Sequence, residues 1–170
     1  MRQFDKLIKE LFDSTLEKEK VKYKVISDNS NTYSVSFKIS GFTYIFSADF
    51  FEAGYLESLS SVLKGISDSG VWEISFYLDT PDKISYNVQN NINIPSKKVF
   101  GIVVDIIKRW LFEHKNVEYI YFSAKEKSRI SLYNAMGKYL STRLGFFEVP
   151  VEKKDTVGNP HEYYLFKRKS

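Results

Sequence analysis

The chain contains no cysteine. That excludes disulfides, thiolate catalysis and cysteine-ligated zinc or iron–sulfur sites. It contains two histidines, His114 and His161, which is too little for a histidine-built metal site or a Ser-His-Asp hydrolase. Proline is limited to 4 residues and glycine to 8 in a chain of 170, and neither gathers into a linker tract. No apolar run approaches the roughly 18 residues that a spanning helix needs, so no membrane partner is expected. The opening MRQFDKLIKELF is studded with charge and does not read as a secretory signal. There is no Gly-x-x-x-x-Gly-Lys-Ser/Thr, no His-Glu-x-x-His, no Gly-x-Ser-x-Gly and no calcium loop. What remains is a foldable composition, 43% hydrophobic and 27% charged. It suits a single cytoplasmic domain over residues 1–170 with no metal.

The charge is unevenly spread. Residues 1–96 hold 10 Lys or Arg against 13 Asp or Glu, and residues 97–170 hold 15 against 8. The basic clusters are Lys97-Lys98, Lys108-Arg109, Lys125-Lys127-Arg129, Lys153-Lys154 and Lys167-Arg168-Lys169. Such a basic half offers a face for nucleic acid or a phosphorylated cofactor, or is simply a solvated surface. The 12 Tyr and 14 Phe lie mostly at alternate positions of strand-like runs, which makes them core residues rather than base-stacking platforms.

Periodicity gives the element order. Phe4, Leu7, Ile8, Leu11 and Phe12 follow helical spacing over 3–18. Val21, Tyr23 and Val25, then Tyr33, Val35, Phe37 and Ile39, alternate as strands around an Asp28–Asn31 turn. Ser40-Gly41 turns the chain into a further strand, Phe42–Ala48. Helical spacing returns at Tyr55, Leu56, Leu59, Val62 and Leu63. Trp72, Ile74, Phe76 and Leu78 mark a strand, and the Asn-rich 80–95 is a loop or one short strand at 84–88.

Ser96 is placed to cap a helix running to about Lys115, whose apolar face is Val99, Ile102, Val103, Ile106, Ile107, Trp110 and Leu111. Val117–Ser123 is apolar on both faces, as in a strand in the middle of a sheet. A second helix starts near Lys127 and ends at Gly145, a residue free to take positive φ. Phe146–Val151 and Glu162–Lys167 are the last strands, separated by a loop at 155–160. The order predicts an α/β (α+β) fold, one mixed sheet with helices on its faces and an amphipathic helix at the N-terminus.

The stretch Lys97–Phe147 resembles the core of the GNAT superfamily of N-acetyltransferases, and the chain is similar to a set of phage-encoded GNAT-like proteins. The residues that carry this are Val99–Lys108, Tyr119-Ile120-Tyr121-Phe122-Ser123-Ala124, Ser128-Arg129-Ile130-Ser131-Leu132-Tyr133 and Leu144-Gly145-Phe146. The resemblance implies a mostly antiparallel central sheet, an acyl-CoA-binding type of core over about 71–168, and acetyl-CoA as cofactor. It implies that the CoA pyrophosphate meets backbone N–H groups at the start of the Ser96 helix, where unpaired amides and the helix dipole favour anions.

The family pattern there is Gln/Arg-x-x-Gly-x-Gly/Ala. Ser96-Lys97-Lys98-Val99-Phe100-Gly101 keeps the last glycine, with Val99 where the first would stand, so the motif is partly degenerate. Val99 and Phe100 are expected to crowd the cradle, and Lys97 and Lys98 to compensate as phosphate partners. The implied cofactor-binding residues are therefore Lys97, Lys98, Val99, Phe100, Gly101 and Ile102. Tyr133 aligns with the family's tyrosine that protonates the departing thiolate, although its helical apolar position also suits a core residue. Acetyl transfer needs a base, and Glu73 and Asp79 are the carboxylates on the Trp72–Asp79 strand. Both occupy the polar positions of that strand, where solvent exposure is the simpler reading. His114 falls on the apolar stripe near the helix end, which points to a structural role. Two alternatives accompany the enzyme reading. One is a non-catalytic, virion-associated or host-interaction binding protein. The other is a nucleic-acid-binding accessory protein that uses the basic half.

Overall fold

The structure is a computed structural model that describes residues 22–52, 69–79, 96–124, 127–151 and 162–170. The helix expected at 3–18, the helical spacing at 55–63, the 80–95 segment, the 155–160 loop, the Lys153-Lys154 pair and His161 lie outside the described residues. Seven strands and two helices are described: β1 (Tyr23–Asp28), β2 (Thr32–Ile39), β3 (Phe42–Phe51), β4 (Val71–Leu78), α1 (Ser96–Glu113), β5 (Tyr119–Ala124), α2 (Lys127–Arg143), β6 (Phe146–Val149) and β7 (Glu162–Arg168). The strands hydrogen-bond in the order β1-β2-β3-β4-β5-β7-β6. The β1–β2, β5–β7 and β6–β7 pairs are antiparallel, and β4–β5 is parallel. The fold is α+β with a mostly antiparallel sheet. The chain divides into two compact units, one from 1–47 and 75–112, the other from 48–74 and 113–170.

In the first unit, local chemistry sets both turns. The Asn29 Oδ1 accepts the backbone N–H groups of Asn31 and Thr32, each at 2.9 Å, and so closes the β1–β2 turn. Ser40 and Gly41 both have positive φ, 50° and 85°, the two-residue geometry that matches the twist of a hairpin. Tyr33, Val35, Phe37 and Ile39 are buried, as their alternation requires. The Tyr33 ring stacks on Trp110 of α1 with centroids 6.3 Å apart, and Phe37 stacks on Tyr44 at 5.5 Å. Helix α1 is buried beyond one stripe, since Phe100 and Val104 join the seven expected positions in the core. Its solvent side carries an Asp105–Arg109 pair at 3.3 Å, and Arg109 also covers the Tyr23 ring.

β1 departs from the alternation read in the sequence. Val25 is 49% exposed and Ile26 54%. β1 is an edge strand, and its pairing with β2 slips between Val25 and Ser27. A bulge at an edge twists the strand and hinders further pairing, so the apolar residues there are not drawn into the core.

In the second unit, β5 lies between β4 and β7 and is covered on both faces, as its unbroken apolar run predicts. One face is aromatic. Phe122 is fully buried and stacks on Tyr164 at 5.1 Å and Phe166 at 5.6 Å, and Tyr133 of α2 tilts against it at 5.0 Å. Helix α2 comes close to β7 at Gly137, where an added Cβ would sit 2.6 Å from the Phe166 ring. Gly145 follows α2 with φ 73°, the expected stop. The opposite face gathers Val71, Tyr119, Tyr121 and Leu165, with Phe51, Val149, Val151 and Tyr163 packed against them.

Arg168 ties this unit together. Its Nε donates to the Val117 carbonyl at 2.7 Å and its Nη2 to the His114 carbonyl at 3.4 Å, with the guanidinium over the Phe146 ring. α1 ends at Glu113, so His114 lies just past the helix. Its backbone carbonyl also accepts the Val117 N–H at 3.3 Å.

Candidate functional site

β4 alternates as the sequence requires: Trp72, Ile74, Phe76 and Leu78 are buried, and Glu73, Ser75 and Tyr77 are partly buried. Its start is fixed by Gly70, at φ 110°. A Cβ there would sit 2.5 Å from the Phe51 carbonyl oxygen and 2.6 Å from the Phe50 ring, so only glycine allows this approach. The contact sets the β3–β4 alignment. Phe50 and Trp72 pack ring on ring at 5.5 Å. On the β3 side, Asp49 lies near enough for its carboxylate to act on Glu73. On the other side, Glu73 is in parallel register with Tyr121 of β5. Tyr121 is in turn in register with Leu165 of β7, and Ser123 with Tyr163. Cross-strand partners share a face, so Glu73 and Tyr121 stand side by side in one row, with Asp49 of β3 near Glu73.

The row is bounded by apolar and aromatic surface. Tyr121 and Tyr163 stack with centroids 6.2 Å apart, and Val71 and Leu165 are buried beside them. Burial first, and then the Asp49 carboxylate, raise the affinity of the Glu73 carboxyl for a proton above its ordinary value. Burial and the neighbouring Glu73 also hold the Tyr121 phenol firmly protonated, against a smaller opposing hydrogen bond from Ser123. Chemically this is a carboxyl able to take or hold a proton, next to a phenol that remains a donor.

The other sequence candidates fall elsewhere. Asp79 is exposed just beyond β4, and its backbone N–H donates to the Thr43 carbonyl at 2.9 Å. The structure associates Glu73 with Asp49 rather than with Asp79. Tyr133 is 2% exposed, its ring enclosed by Phe122 and Tyr164. Lys97 and Lys98 lie in the first turn of α1; Lys98 is half-buried, and the Lys97 side chain lies outside the described set. Val99, Phe100, Gly101 and Ile102 are buried. Their side chains belong to the core, and what the first turn offers a phosphate is its backbone N–H groups and Lys98. No acidic residue occupies that turn.

Among the described residues, no group of three or more His, Asp or Glu is arranged to hold a metal ion, and no helix is long and apolar enough to cross a membrane. The chain matches no model of a known protein family and no curated protein.

Sequence reasoning missed Asp49 and Tyr121 beside Glu73, and the Ser123–Tyr163 pair next to Tyr121. Tyr121 and Ser123 stood in a run read as a central strand and as part of the family likeness, without a site role. Asp49 was a lone carboxylate beyond the expected end of its strand, which continues to Phe51.

Proposed function

We propose that this chain is a GNAT-like acyltransferase that moves an acetyl group from acetyl-CoA to an amine, with Glu73 as the base. The observation that carries this reading is the half-buried Glu73, held in the parallel β4–β5 pair with its proton affinity raised. An amine attacks only after losing a proton, and a carboxylate of raised basicity is the better acceptor for that proton. Acetyl-CoA, when bound, supplies the activated thioester. Glu73 would take the proton of the attacking nitrogen, the CoA released as the thioester C–S bond breaks would take its proton from water, and Tyr121 would stay a protonated phenol beside Glu73. The connection β4–α1–β5 through a parallel pair in a mostly antiparallel sheet supports the reading, as do the likenesses over 97–147.

Two observations bear on the alternatives. The buried Tyr133 ring favours a core role over thiolate protonation, which is the feature that most supports a non-catalytic binding protein. The nucleic-acid reading is weakened by the partners of the basic residues. Arg109 meets Asp105, Lys167 meets Glu118 at 3.8 Å and lies over Tyr119, and Arg168 and Lys169 donate to backbone carbonyls. Phage origin, with a place in the host cytoplasm or the virion, belongs to the same proposal.

Thermal unfolding with acetyl-CoA and with CoA tests the reading. Ligand at 100 times its Kd adds about 2.7 kcal/mol, which at this size raises Tm by about 5–11 °C. Lys98→Glu is expected to reduce the rise. A midpoint unmoved by saturating cofactor would overturn the acyltransferase reading and turn attention to protein and nucleic-acid partners.

A further inference from the structure

We propose that the face holding Glu73, Tyr121 and Tyr163 binds a small primary amine with an aromatic body, its ammonium against Glu73 and its ring against the tyrosine pair, and that this amine is the acetyl acceptor. Its part as acceptor rests on the acyltransferase reading; the binding site itself rests on the geometry of the sheet.

Register builds the surface. Glu73 of β4 pairs with Tyr121 of β5, and one step along β5 and β7 on the same face Ser123 pairs with Tyr163. The Tyr121 and Tyr163 rings stack with centroids 6.2 Å apart and planes 18° from parallel. Val71 and Leu165 lie buried beside them. A carboxyl thus stands at the margin of an aromatic and apolar surface. Glu73, Ser123 and Tyr163 are partly buried rather than enclosed, so each keeps some surface toward solvent. Lys167 lies on this face too, but in register with Tyr119, where it covers that ring and meets Glu118 at 3.8 Å.

Each feature limits the ligand. A carboxylate beside apolar surface attracts a cation and repels an anion, and a stacked tyrosine pair offers a flat face to a ring. Neighbouring strands are ~4.8 Å apart, so a link of about two or three carbons carries a ligand from Glu73 to the tyrosine pair. An arylalkylamine has both parts at that spacing, whereas a polyamine has no flat body for the rings. In the transfer, the amine nitrogen bonds to the acetyl carbon, the thioester C–S bond breaks, the amine proton passes to Glu73 and the CoA sulfur takes a proton from water.

Isothermal titration calorimetry on the full chain, with and without CoA, tests this with phenethylamine, butylamine and phenethyl alcohol. Phenethylamine is expected to bind about ten-fold more tightly than butylamine, which lacks the ring, and than the alcohol, which lacks the charge. Tyr163→Leu is expected to abolish the advantage over butylamine, and Glu73→Gln the advantage over the alcohol. Equal affinities in the unmodified chain, or no measurable binding, overturn the proposal, and that comparison needs no variant to fold. An advantage over butylamine that survives Tyr163→Leu also overturns it. Acetyl transfer separates the two readings. Phenethylamine that binds as expected but is never acetylated leaves the amine site standing and removes the acyltransferase reading. CoA release with spermidine and none with phenethylamine keeps that reading and overturns this acceptor.

Discussion

Gly137→Ala sets two known effects against each other. In the interior of a helix, alanine is better than glycine by about 1 kcal/mol. At this position, however, the new Cβ would lie 2.6 Å from Cζ of Phe166 and 3.4 and 3.5 Å from its Cε atoms. Unstrained carbon contacts are about 3.5–4.0 Å, so the closest pair must separate by about 1 Å. Phe166 has little room to retreat. It is 1% exposed and stacks on Phe122, which is itself packed between Tyr133 and Tyr164. Overpacking of this kind costs about 1–3 kcal/mol. The ring displacement offsets the propensity gain, and a net loss of up to about 2 kcal/mol is expected. That lowers Tm by up to about 8 °C for a chain of this length. Phe166→Leu in the same chain should make the alanine nearly free, a non-additivity that contact predicts. A stabilising Gly137→Ala would refute the reasoning, because it would mean that the aromatic stack yields without cost.

Three further outcomes follow from the same structure. Glu73→Gln should stabilise the fold at neutral and higher pH. The folded-state proton affinity of Glu73 is raised, so its contribution is present below the ordinary carboxyl range and is lost as pH rises through the folded value. The variant's Tm advantage should therefore shrink as pH is lowered to about 4, and an advantage independent of pH would contradict the assignment. Arg168→Lys should cost about 1–2 kcal/mol in urea unfolding, since an ammonium cannot serve the Val117 and His114 carbonyls as a planar fork and cover Phe146 at once. A loss under about 0.3 kcal/mol would show that the clamp is idle. Gly70→Ala should destabilise by about 2–3 kcal/mol or more, because it combines strain at φ 110° with a Cβ set against the Phe51 carbonyl. A midpoint unchanged in chemical denaturation would refute that alignment of β3 and β4.

The strands that alternate cleanly were legible because a sheet with one well-covered face leaves a period of two in the sequence. Tyr33–Ile39 and Trp72–Leu78 are the examples, and Val117–Ser123 showed its central place by being apolar throughout. Gly145 was legible as a stop because the helix before it needs a residue at positive φ. The exposure of Val25 and Ile26 was not legible, since an alternating pattern does not say whether a strand lies inside a sheet or at its edge. The site was half visible. Glu73 could be named as a polar residue on an apolar strand, but the groups beside it, Asp49 and Tyr121, lie 24 and 48 residues away. The β4–β5 register and the placing of β3 beside β4 bring them together, and both are tertiary properties that spacing along one strand does not encode.

The central claim is that Glu73 is a base for acyl transfer. The direct measurement is release of free CoA thiol from acetyl-CoA in the presence of a primary amine such as spermidine or a lysine peptide, compared between the unmodified chain and Glu73→Gln from pH 5 to pH 9. The account predicts amine-dependent release that rises with pH as Glu73 ionises. It predicts a fall of about 10²-fold or more in the variant, with the Tm response to acetyl-CoA retained. Equal rates in the two proteins, or no amine-dependent release from either, would contradict it.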